Sequence, residues 1–313
     1  MILCCGEALI DMIPAQTAAG GHAFQPHAGG AIFNTAIALG RLGVDTGFVS
    51  GLSTDLFGQQ LRDALDHSHV HSDHAVISDK PTTLAFVELN DGHATYTFYD
   101  ENTAGRSLTP DMIPDLPASV DALYFGGISL ISEPCADFYL ALATRAHADH
   151  VVMLDPNIRA GFIKDEASYR RRLEQMIALA DIVKVSDEDL DWIVPGAGTL
   201  EEKAKTLGAE KFLVVTRGSK GALGYLPGGS PIEVEARTVD MVDTVGAGDT
   251  FNAGVLAALA RAGVLTKKEI RRLTPEDGVK ALAYGASVAA ITVSRAGANP
   301  PWAHEIDETD LIA

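Results

Sequence analysis

A glycine-rich segment that ends in an acid carries the strongest chemical signal in the sequence. Residues 243–251 read DTVGAGDTF, immediately before a predicted helix of small residues. The backbone N–H groups of Gly246, Ala247 and Gly248 would form a cup for an anion, because the first turn of a helix leaves its donors unpaired. Asp249 follows in that turn, where the helix N-terminus favours its ionised form. The segment predicts an anion hole beside a general base, as phosphoryl transfer to a hydroxyl requires.

A second pair of glycines precedes another predicted helix. Gly29 and Gly30 stand a few residues before Asn34, and paired glycines allow a ligand to approach the backbone closely. Asn34 offers both a donor and an acceptor, which suits a polyol. Asp11 follows the first predicted strand and would accept two hydroxyl hydrogen bonds. Each residue also has a purely structural interpretation, with Asn34 capping a helix and Asp11 on the surface.

Further polar residues follow the predicted strands. Asp155, Asn157 and Arg159 leave the end of one strand, and ligands of open α/β sheets bind at the carboxyl ends of strands. Arg159 would steady phosphate charge, although a surface ion pair of little energy is the alternative. Polar residues and glycines also follow two later strands, at Lys184, Ser186, Glu188, Asp189, Thr216, Gly218 and Gly221.

Short apolar runs alternate with helical patterns along the chain. This alternation predicts an α/β fold in which a mostly parallel central sheet lies between layers of helices. The predicted strands cover residues 2–5, 46–50, 122–125, 151–154, 182–185 and 212–216. The predicted helices cover residues 30–42, 55–67, 134–148, 166–180, 199–207 and 252–262.

Two regions depart from this alternation and predict a small antiparallel sheet. Residues 82–89 and 95–99 flank Asn90-Asp91-Gly92, which is typical of a hairpin turn. Residues 7–28 also have an extended pattern. Another hairpin is predicted within 222–236, turning at Gly228-Gly229. Since no linker or internal repeat interrupts the chain, we expect residues 1–313 to form a single domain, although about 150 residues per domain would allow two.

The composition excludes several classes of protein. The 313 residues include 24 Lys and Arg against 42 Asp and Glu, a net charge of −18, which argues against nucleic-acid or anionic-membrane partners. The three cysteines cannot form a disulfide framework, and the N-terminus lacks the basic region of a signal peptide. The apolar run 281–293 is too short to span a bilayer. Four histidines within 67–74 favour a solvated loop over a zinc site. We expect a soluble cytoplasmic protein.

Together these motifs resemble those of the ribokinase-like (PfkB) carbohydrate kinases. The likeness runs from Gly6-Glu7 to the segment 294–298, and GEALIDMIP, PTTLAFVELNDG, DPNIR and KVSDEDL are most similar to bacterial fructokinases. It implies a three-layer α/β/α sandwich whose small β lid comprises about residues 7–28 and 82–105. ATP would lie over one half of the sheet edge, with the sugar under the lid.

The resemblance also implies a role for each motif. Asp249 would be the catalytic base, the backbone of Gly246, Ala247 and Gly248 the anion hole, and Arg159 a neighbour of the transferred phosphate. The sugar would be held by Asp11, Gly29, Gly30, Asn34 and Asn157, with Arg159 beside it. The nucleotide would lie against Lys184, Ser186, Thr216, Gly218 and Gly221.

The resemblance also implies two metal sites, whose individual ligands are less clearly defined. The family often shows Asn-x-x-Glu after the Lys184 strand, where this chain has Ser186 and Asp189. Asp189, or alternatively Glu188, would then hold Mg²⁺ through water, because Mg²⁺ keeps much of its hydration shell. The loops at Asp243–Val245 and 295–298 resemble the family's site for a monovalent cation such as K⁺, with Asp243 and Val245 as candidate ligands.

The implied activity is ATP-dependent phosphorylation of a ketohexose, with fructose converted to fructose 6-phosphate. The nearest alternative is 2-keto-3-deoxygluconate kinase, whose relatives carry an Arg where this chain has Asp100; Arg106 would compensate for that difference. Ribokinase and nucleoside kinase are weaker alternatives. A catalytically silent sugar-binding regulator would have no use for Asp249 at the anion hole. The expected partners are a sugar and ATP, and a homodimer through the lid is compatible with the family.

Overall fold

The computed structural model describes residues 1–90, 93–208, 210–227, 229 and 231–306. The strands of these ranges are β1 Ile2–Cys5, β2 Leu9–Gln16, β3 His22–Gly29, β4 Thr46–Val49, β5 Gly51–Ser53, β6 Val70–His71, β7 Val76–Ser78, β8 Leu84–Asn90, β9 His93–Tyr99, β10 Ala122–Gly126, β11 Val151–Asp155, β12 Ile182–Ser186, β13 Phe212–Thr216, β14 Ala222–Tyr225 and β15 Ile232–Val234. The α-helices are α1 Ala31–Arg41, α2 Leu56–His67, α3 Cys135–Ala146, α4 Glu166–Leu179, α5 Asp187–Ile193, α6 Leu200–Gly208, α7 Ala247–Arg261, α8 Lys267–Ile270 and α9 Pro275–Val293.

The main sheet has the strand order β15-β14-β13-β12-β11-β10-β1-β4-β6 in the described part of the chain. All pairs from β13 to β6 are parallel, while β14 and β15 are antiparallel. β4 and β6 lie on one side of β1, and the strands from β10 to β15 lie on the other. β1 and β10 therefore flank a topological switch point, where open α/β sheets bind ligands. The predicted α/β fold is confirmed.

The sheet lies between two hydrophobic clusters. Along β1, Ile2 and Cys4 pack into one cluster and Leu3 and Cys5 into the other. A parallel strand covered on both faces needs a continuous apolar run, which is why these strands were predictable. α7 and α9 pack together in the first cluster, where a methyl group on Gly254 would lie 2.7 Å from the Cα of Gly285. Their small residues therefore let the two helices approach closely.

A second sheet has the order β3-β2-β8-β9. β8–β9 is the predicted antiparallel hairpin, and β2–β3, in the segment predicted as extended, is a second one, so the predicted small antiparallel sheet is confirmed. β2 and β8 pair in parallel, because both hairpins begin with a strand that runs in the same direction. The predicted turn residues Asp91-Gly92, and Gly228 in the turn between β14 and β15, lie outside the described residues.

Several helices differ from the prediction. α7 begins at Ala247 rather than at 252, with Gly246 as its N-cap, and its first turn contains Asp249 as the motif indicated. α5, α8 and α9 were not predicted, although a capping box of Thr274 and Asp277 marks the start of α9.

Several expectations about the rest of the chain can be compared directly with the structure. No helix in the described ranges has both the length and the apolarity to cross a bilayer. Within those ranges, no three His, Cys, Asp or Glu side chains come together as metal ligands. His67 and His69 instead meet the ring of Trp302, with centroids 6.0 and 5.6 Å apart. All three cysteines are buried and unpaired.

Candidate active site

The N-terminus of α7 opens into a cleft of about 320 Å³ at the carboxyl edge of the main sheet. Gly246 precedes the helix with a φ of 77°, in the left-handed region that glycine adopts without strain. A methyl group there would also lie 2.7 Å from the Cβ of Ala298. The first N–H groups of α7 have no acceptor within the helix. A helix N-terminus of this kind can bind an anion, as the sequence predicts.

Asp249 lies in the first turn of α7 and is buried. Its Oδ2 accepts a hydrogen bond of 2.9 Å from Nδ2 of Asn34, on the first turns of α1. Burial raises the pKa of Asp249 to about 7; the Asn34 hydrogen bond lowers it, the charge of Asp155 raises it further, and Lys184 and Arg159 lower it. A carboxyl group with such a pKa can accept a proton near neutral pH.

A buried ion pair lies beside the anion hole. Nζ of Lys184 is 2.9 Å from Oδ2 of Asp155, and Asn252 donates to the same oxygen at 2.7 Å. Burial alone would lower the pKa of Lys184, but the charge and hydrogen bond of Asp155 outweigh it, so the net shift is upward. A Cβ on Gly248 would lie 3.3 Å from Nζ. A permanent positive charge is therefore fixed against the first turn of α7.

Asn157 and Arg159 form the outer wall of this end of the cleft. Asn157 has a φ of 43°, and its N–H donates to Oδ1 of Asp155 at 3.2 Å. Nη1 of Arg159 donates to Oδ1 of Asn157 at 2.7 Å, while the Arg159 side chain is otherwise exposed. Arg159 is thus held near the cleft but free to meet an anion.

Asp11, on β2, also lines the cleft. Burial raises the pKa of Asp11 to about 6. Gly29 is buried directly behind it, where any Cβ would collide with the Asp11 carboxylate. Gly29 is absent from the lining of the cleft, in contrast to the predicted sugar contact, and its role is to make room for Asp11.

Aromatic residues of β9 also face the cleft, and the sequence analysis missed them as binding residues. Tyr96 and Phe98 line it, and the ring of Phe98 lies 4.7 Å from that of Phe162. Asp11 pairs with Ala85 across the sheet and Ala85 with Phe98. Since paired residues share a face of the sheet, strand alternation would have put Tyr96 and Phe98 on one face of the predicted hairpin, but only the pairing of β2 with β8 places that face beside Asp11.

The structure brings most of the predicted site residues to one cleft. It is lined by Asp11, Gly30, Asn34, Asn157, Arg159, Lys184, Val245, Gly246, Ala247, Gly248 and Asp249. The remaining ones lie outside its lining: Gly29, Ser186, Glu188, Asp189, Thr216, Gly218, Gly221 and Asp243. Ser186 pairs with Thr216 at the ends of β12 and β13, so these residues continue the same sheet edge beyond Lys184.

Asp189 is engaged in local structure. Its Oδ1 accepts from the N–H of Ile158 at 3.0 Å and its Oδ2 from the N–H of Ser186 at 3.2 Å. Ser186 Oγ accepts in return from the N–H of Asp189, which completes a capping box at the start of α5. Glu188 is exposed. These contacts do not favour Asp189 as a direct metal ligand, and they leave it able to bind a metal-bound water.

Asp243 joins two loops near the N-terminus of α7. Its Oδ1 accepts from the N–H of Val245 at 3.0 Å and its Oδ2 from the N–H of Gly297 at 2.9 Å. The two loops that resemble a monovalent-cation site therefore lie side by side.

Comparison with known proteins agrees with this geometry. Residues 1–305 match the profile of the pfkB family carbohydrate kinases. The chain belongs to this family. It is therefore a phosphotransferase, as the motifs implied. The chain is 50% identical over 279 residues to a fructokinase of Rhizobium leguminosarum bv. trifolii, covering 87% of this chain and 84% of the relative.

Solved structures of similar proteins share the whole fold of this PfkB kinase. A fructokinase from Xylella fastidiosa with bound ATP superposes with a TM-score of 0.83 at 31% identity, over 95% of this chain and 93% of that one. A fructokinase from Vibrio cholerae O395, bound to fructose, ADP and calcium ion, superposes with a TM-score of 0.82 at 25% identity, over 95% and 94% of the two chains.

Proposed function

We propose that this PfkB kinase transfers the γ-phosphoryl group of ATP to the primary hydroxyl of fructose and forms fructose 6-phosphate. The observation that carries the proposal is Asp249, a buried carboxyl group at a helix N-terminus that is bonded to Asn34 and lines the same cleft as the cation Lys184 and the carboxylate Asp11. The 50% sequence identity to a fructokinase of Rhizobium leguminosarum bv. trifolii supports fructose as the sugar.

In this proposal the residues of the cleft have separate roles in the reaction. Asp249 takes the proton of the attacking hydroxyl, while the N–H groups at Gly246–Gly248 hold the transferring phosphoryl group. Lys184 balances the charge that develops on that group, together with Arg159. Asp11 and Asn34 orient the sugar, so that its hydroxyl meets the phosphorus in line.

The nucleotide and its metal ions occupy the rest of the sheet edge in this proposal. Ser186, Thr216, Gly218 and Gly221 line the nucleotide site, which continues from Lys184 along β12 and β13. Asp189, or Glu188 beside it, would hold Mg²⁺ through water, and the ion would supply positive charge against the phosphates of ATP. The loops joined by Asp243 would supply oxygen ligands for K⁺, from Asp243 and Val245.

A neutral sugar fits better than an acidic one. Nη1 of Arg106 forms a 3.0 Å ion pair with Asp100, which is itself buried and also accepts from Ser132. Nε of Arg106 donates to the carbonyl of Glu133. Arg106 is therefore engaged and is not available to compensate for Asp100, as recognition of 2-keto-3-deoxygluconate would require.

The four-stranded sheet acts as a lid over the sugar in this proposal. It carries Tyr96 and Phe98 on the face that lines the cleft, and closure over the substrate would exclude water and suppress hydrolysis of ATP. Phe24 and Tyr99 on its other face are 47% and 61% exposed, which supports a homodimer formed through the lid.

A coupled ADP-release assay over fructose, ribose, 2-keto-3-deoxygluconate, tagatose and adenosine tests the proposed substrate. We expect kcat/KM for fructose to exceed that for 2-keto-3-deoxygluconate by at least about 100-fold, since an unpaired charge would have to be buried in the sugar site. A higher kcat/KM for 2-keto-3-deoxygluconate than for fructose would overturn the assignment of fructose as the substrate. Absence of turnover with every sugar would favour a silent regulator.

The pH profile of the reaction should reflect the titration of Asp249. A general base acts only when deprotonated, so the pKa of about 7 predicts that kcat/KM for fructose falls as the pH drops through 7. Asp11, with its pKa of about 6, should steepen the fall below pH 6. Initial rates from pH 5 to 9 at saturating ATP measure this, and a flat profile between pH 6 and 8 would contradict it.

A further inference from the structure

Residues 156–164 form the loop that follows β11, and this loop is attached to two different parts of the molecule. Near its start, the N–H of Ile158 donates to Oδ1 of Asp189 at 3.0 Å, which ties the loop to the beginning of α5. Near its end, the ring of Phe162 packs against that of Phe98 on β9, with centroids 4.7 Å apart. The loop therefore connects the edge of the main sheet to the lid sheet.

Arg159 lies between these two attachments. Its Nη1 donates to Oδ1 of Asn157 at 2.7 Å and to the carbonyl of Ile158 at 3.2 Å. Both acceptors belong to the same loop, so the guanidinium group follows the loop backbone. Since Arg159 also lines the cleft, a shift of the loop would move the charge that the proposed mechanism places beside the transferring phosphoryl group.

A single turn of 3₁₀ helix links Phe162 to Arg159. The turn covers Ala160–Phe162, and the N–H of Phe162 donates to the carbonyl of Arg159 at 2.8 Å. The N–H of Ile163 donates to the carbonyl of Ala160 at 3.2 Å and extends the same pattern. Because hydrogen bonds between residues three apart hold such a turn together, the location of the Phe162 ring constrains where the Arg159 backbone lies.

The partner ring belongs to the face of the lid that lines the cleft. Phe98 lies on β9, the edge strand of the four-stranded sheet, and lines the cleft together with Tyr96. Burial raises the pKa of Tyr96, the charge of Asp11 raises it further and that of Arg159 lowers it. The same strand is therefore within electrostatic range of both Asp11 and Arg159.

A second contact between the lid and the loop is weaker. Nζ of Lys164 lies 4.0 Å from Oε1 of Glu101, just after β9, and the two side chains are 80% and 83% exposed. An ion pair so exposed contributes little, whereas an aromatic pair contributes beyond the area it buries. Of these two contacts, the one made by Phe162 is therefore better able to pass the position of the lid to the loop.

We propose that Phe162 is a positioning residue, which couples the lid to Arg159 so that the guanidinium group meets the transferring phosphoryl group when the lid covers the sugar. The inference rests on the proposed function and deepens it, because it gives the lid a second role besides the exclusion of water. In such an arrangement the binding of the correct sugar helps to assemble the site that transfers the phosphoryl group.

Phe162→Ala tests the inference, because it removes the ring and leaves Arg159 in the chain. We expect kcat for fructose to fall about tenfold, which corresponds to about 1.4 kcal/mol and is within the range for one aromatic pair. The ATP Kd should stay within twofold. Phe162→Tyr keeps the ring and should retain kcat within twofold, since Phe162 also lines a groove of about 1010 Å³ beside β9 that has room for a hydroxyl group. A kcat of Phe162→Ala within twofold of wild type would overturn the inference.

Ile163→Ala is the matched control. Ile163 is the next residue of the same loop, but it packs against the hydrophobic cluster that contains Leu3 and Cys5. Its truncation should lower Tm and leave kcat within twofold of wild type. Equal losses of kcat in Phe162→Ala and Ile163→Ala would show a general disturbance of the loop and would overturn the inference. If Phe162→Ala does not fold, Phe162→Leu, which removes the ring but keeps an apolar side chain, takes its place.

A double-mutant cycle with Arg159→Ala shows whether Phe162 acts through Arg159. In a chain that already carries Arg159→Ala, the further change Phe162→Ala should alter kcat less than twofold. The full tenfold loss in that background would overturn the inference and leave the proposed function intact. Should Arg159→Ala by itself leave kcat within twofold of wild type, the proposed role of Arg159 fails, and the inference with it. Failure of the wild type to phosphorylate fructose would instead overturn the proposed function.

Discussion

Replacing Asp249 with Asn should lower kcat for fructose about 1,000-fold, within the range that general base catalysis contributes. Asn keeps the size of the side chain but cannot accept the proton of the attacking hydroxyl. In the proposed mechanism ATP binds to the N–H groups of the same helix turn, which the substitution leaves in place, so we expect the ATP Kd to change less than threefold. Initial rates of ADP release and calorimetric titration of ATP provide the two measurements.

The matched control for this variant is Glu166→Gln. Glu166 is also an acid in the first turn of a helix, α4, but it is exposed and paired with Arg170. Its replacement should leave kcat within twofold of wild type. Should Asp249→Asn keep more than a tenth of the wild-type kcat, Asp249 is not the base. A loss of ATP affinity as large as the loss of kcat would point to damage of the anion hole instead.

Replacing Asp11 with Ala should raise the fructose KM about 100-fold and leave the ATP KM unchanged. A hydrogen bond to a charged group contributes about 1.5–3 kcal/mol, and tenfold in affinity corresponds to about 1.4 kcal/mol. Two hydroxyl contacts to one carboxylate therefore account for a change of this size. The assay should be run at pH 8, because Asp11, with a pKa of about 6, is ionised there.

Two further variants test whether the increase in the fructose KM comes specifically from the loss of the Asp11 carboxylate. Asp11→Asn keeps one acceptor oxygen and should raise the fructose KM less than Asp11→Ala does. His22 pairs with Gln16 at the far end of the same hairpin and is exposed, so His22→Ala should have little effect on either KM. Equal increases of the sugar and ATP KM values in Asp11→Ala would place Asp11 outside the sugar site.

Much of the fold could be predicted because its signals are local. Each main-sheet strand predicted from an apolar run, such as β1 and β13, was located within one residue, since a strand buried on both faces must be apolar at every position. The GAGD segment was equally informative, because the glycines, the helix start and the acid are adjacent in the chain. The fold class and the position of the proposed base therefore followed from the sequence by itself.

Other features depend on residues far apart in the chain. Asn34 and Asp249 are separated by 215 positions, and Lys184 and Asp155 by 29. Only the folded chain shows that the amide of Asn34 bonds to the base, or that Lys184 stands against α7. Asp189, which the sequence offers as a metal ligand, is bonded to the backbone of Ile158 once the strands are assembled.

The acidity of Asp249 was likewise decided by tertiary structure. A pKa depends on how much water and charge surround a group, and these are contributed by every element packed around it. The groups that shift the pKa of Asp249, Asn34, Asp155 and Lys184 among them, come from other segments of the chain. The sequence determined the fold and the glycine-rich motif because both depend on local pattern, whereas the pKa of Asp249 arises from contacts that only packing creates.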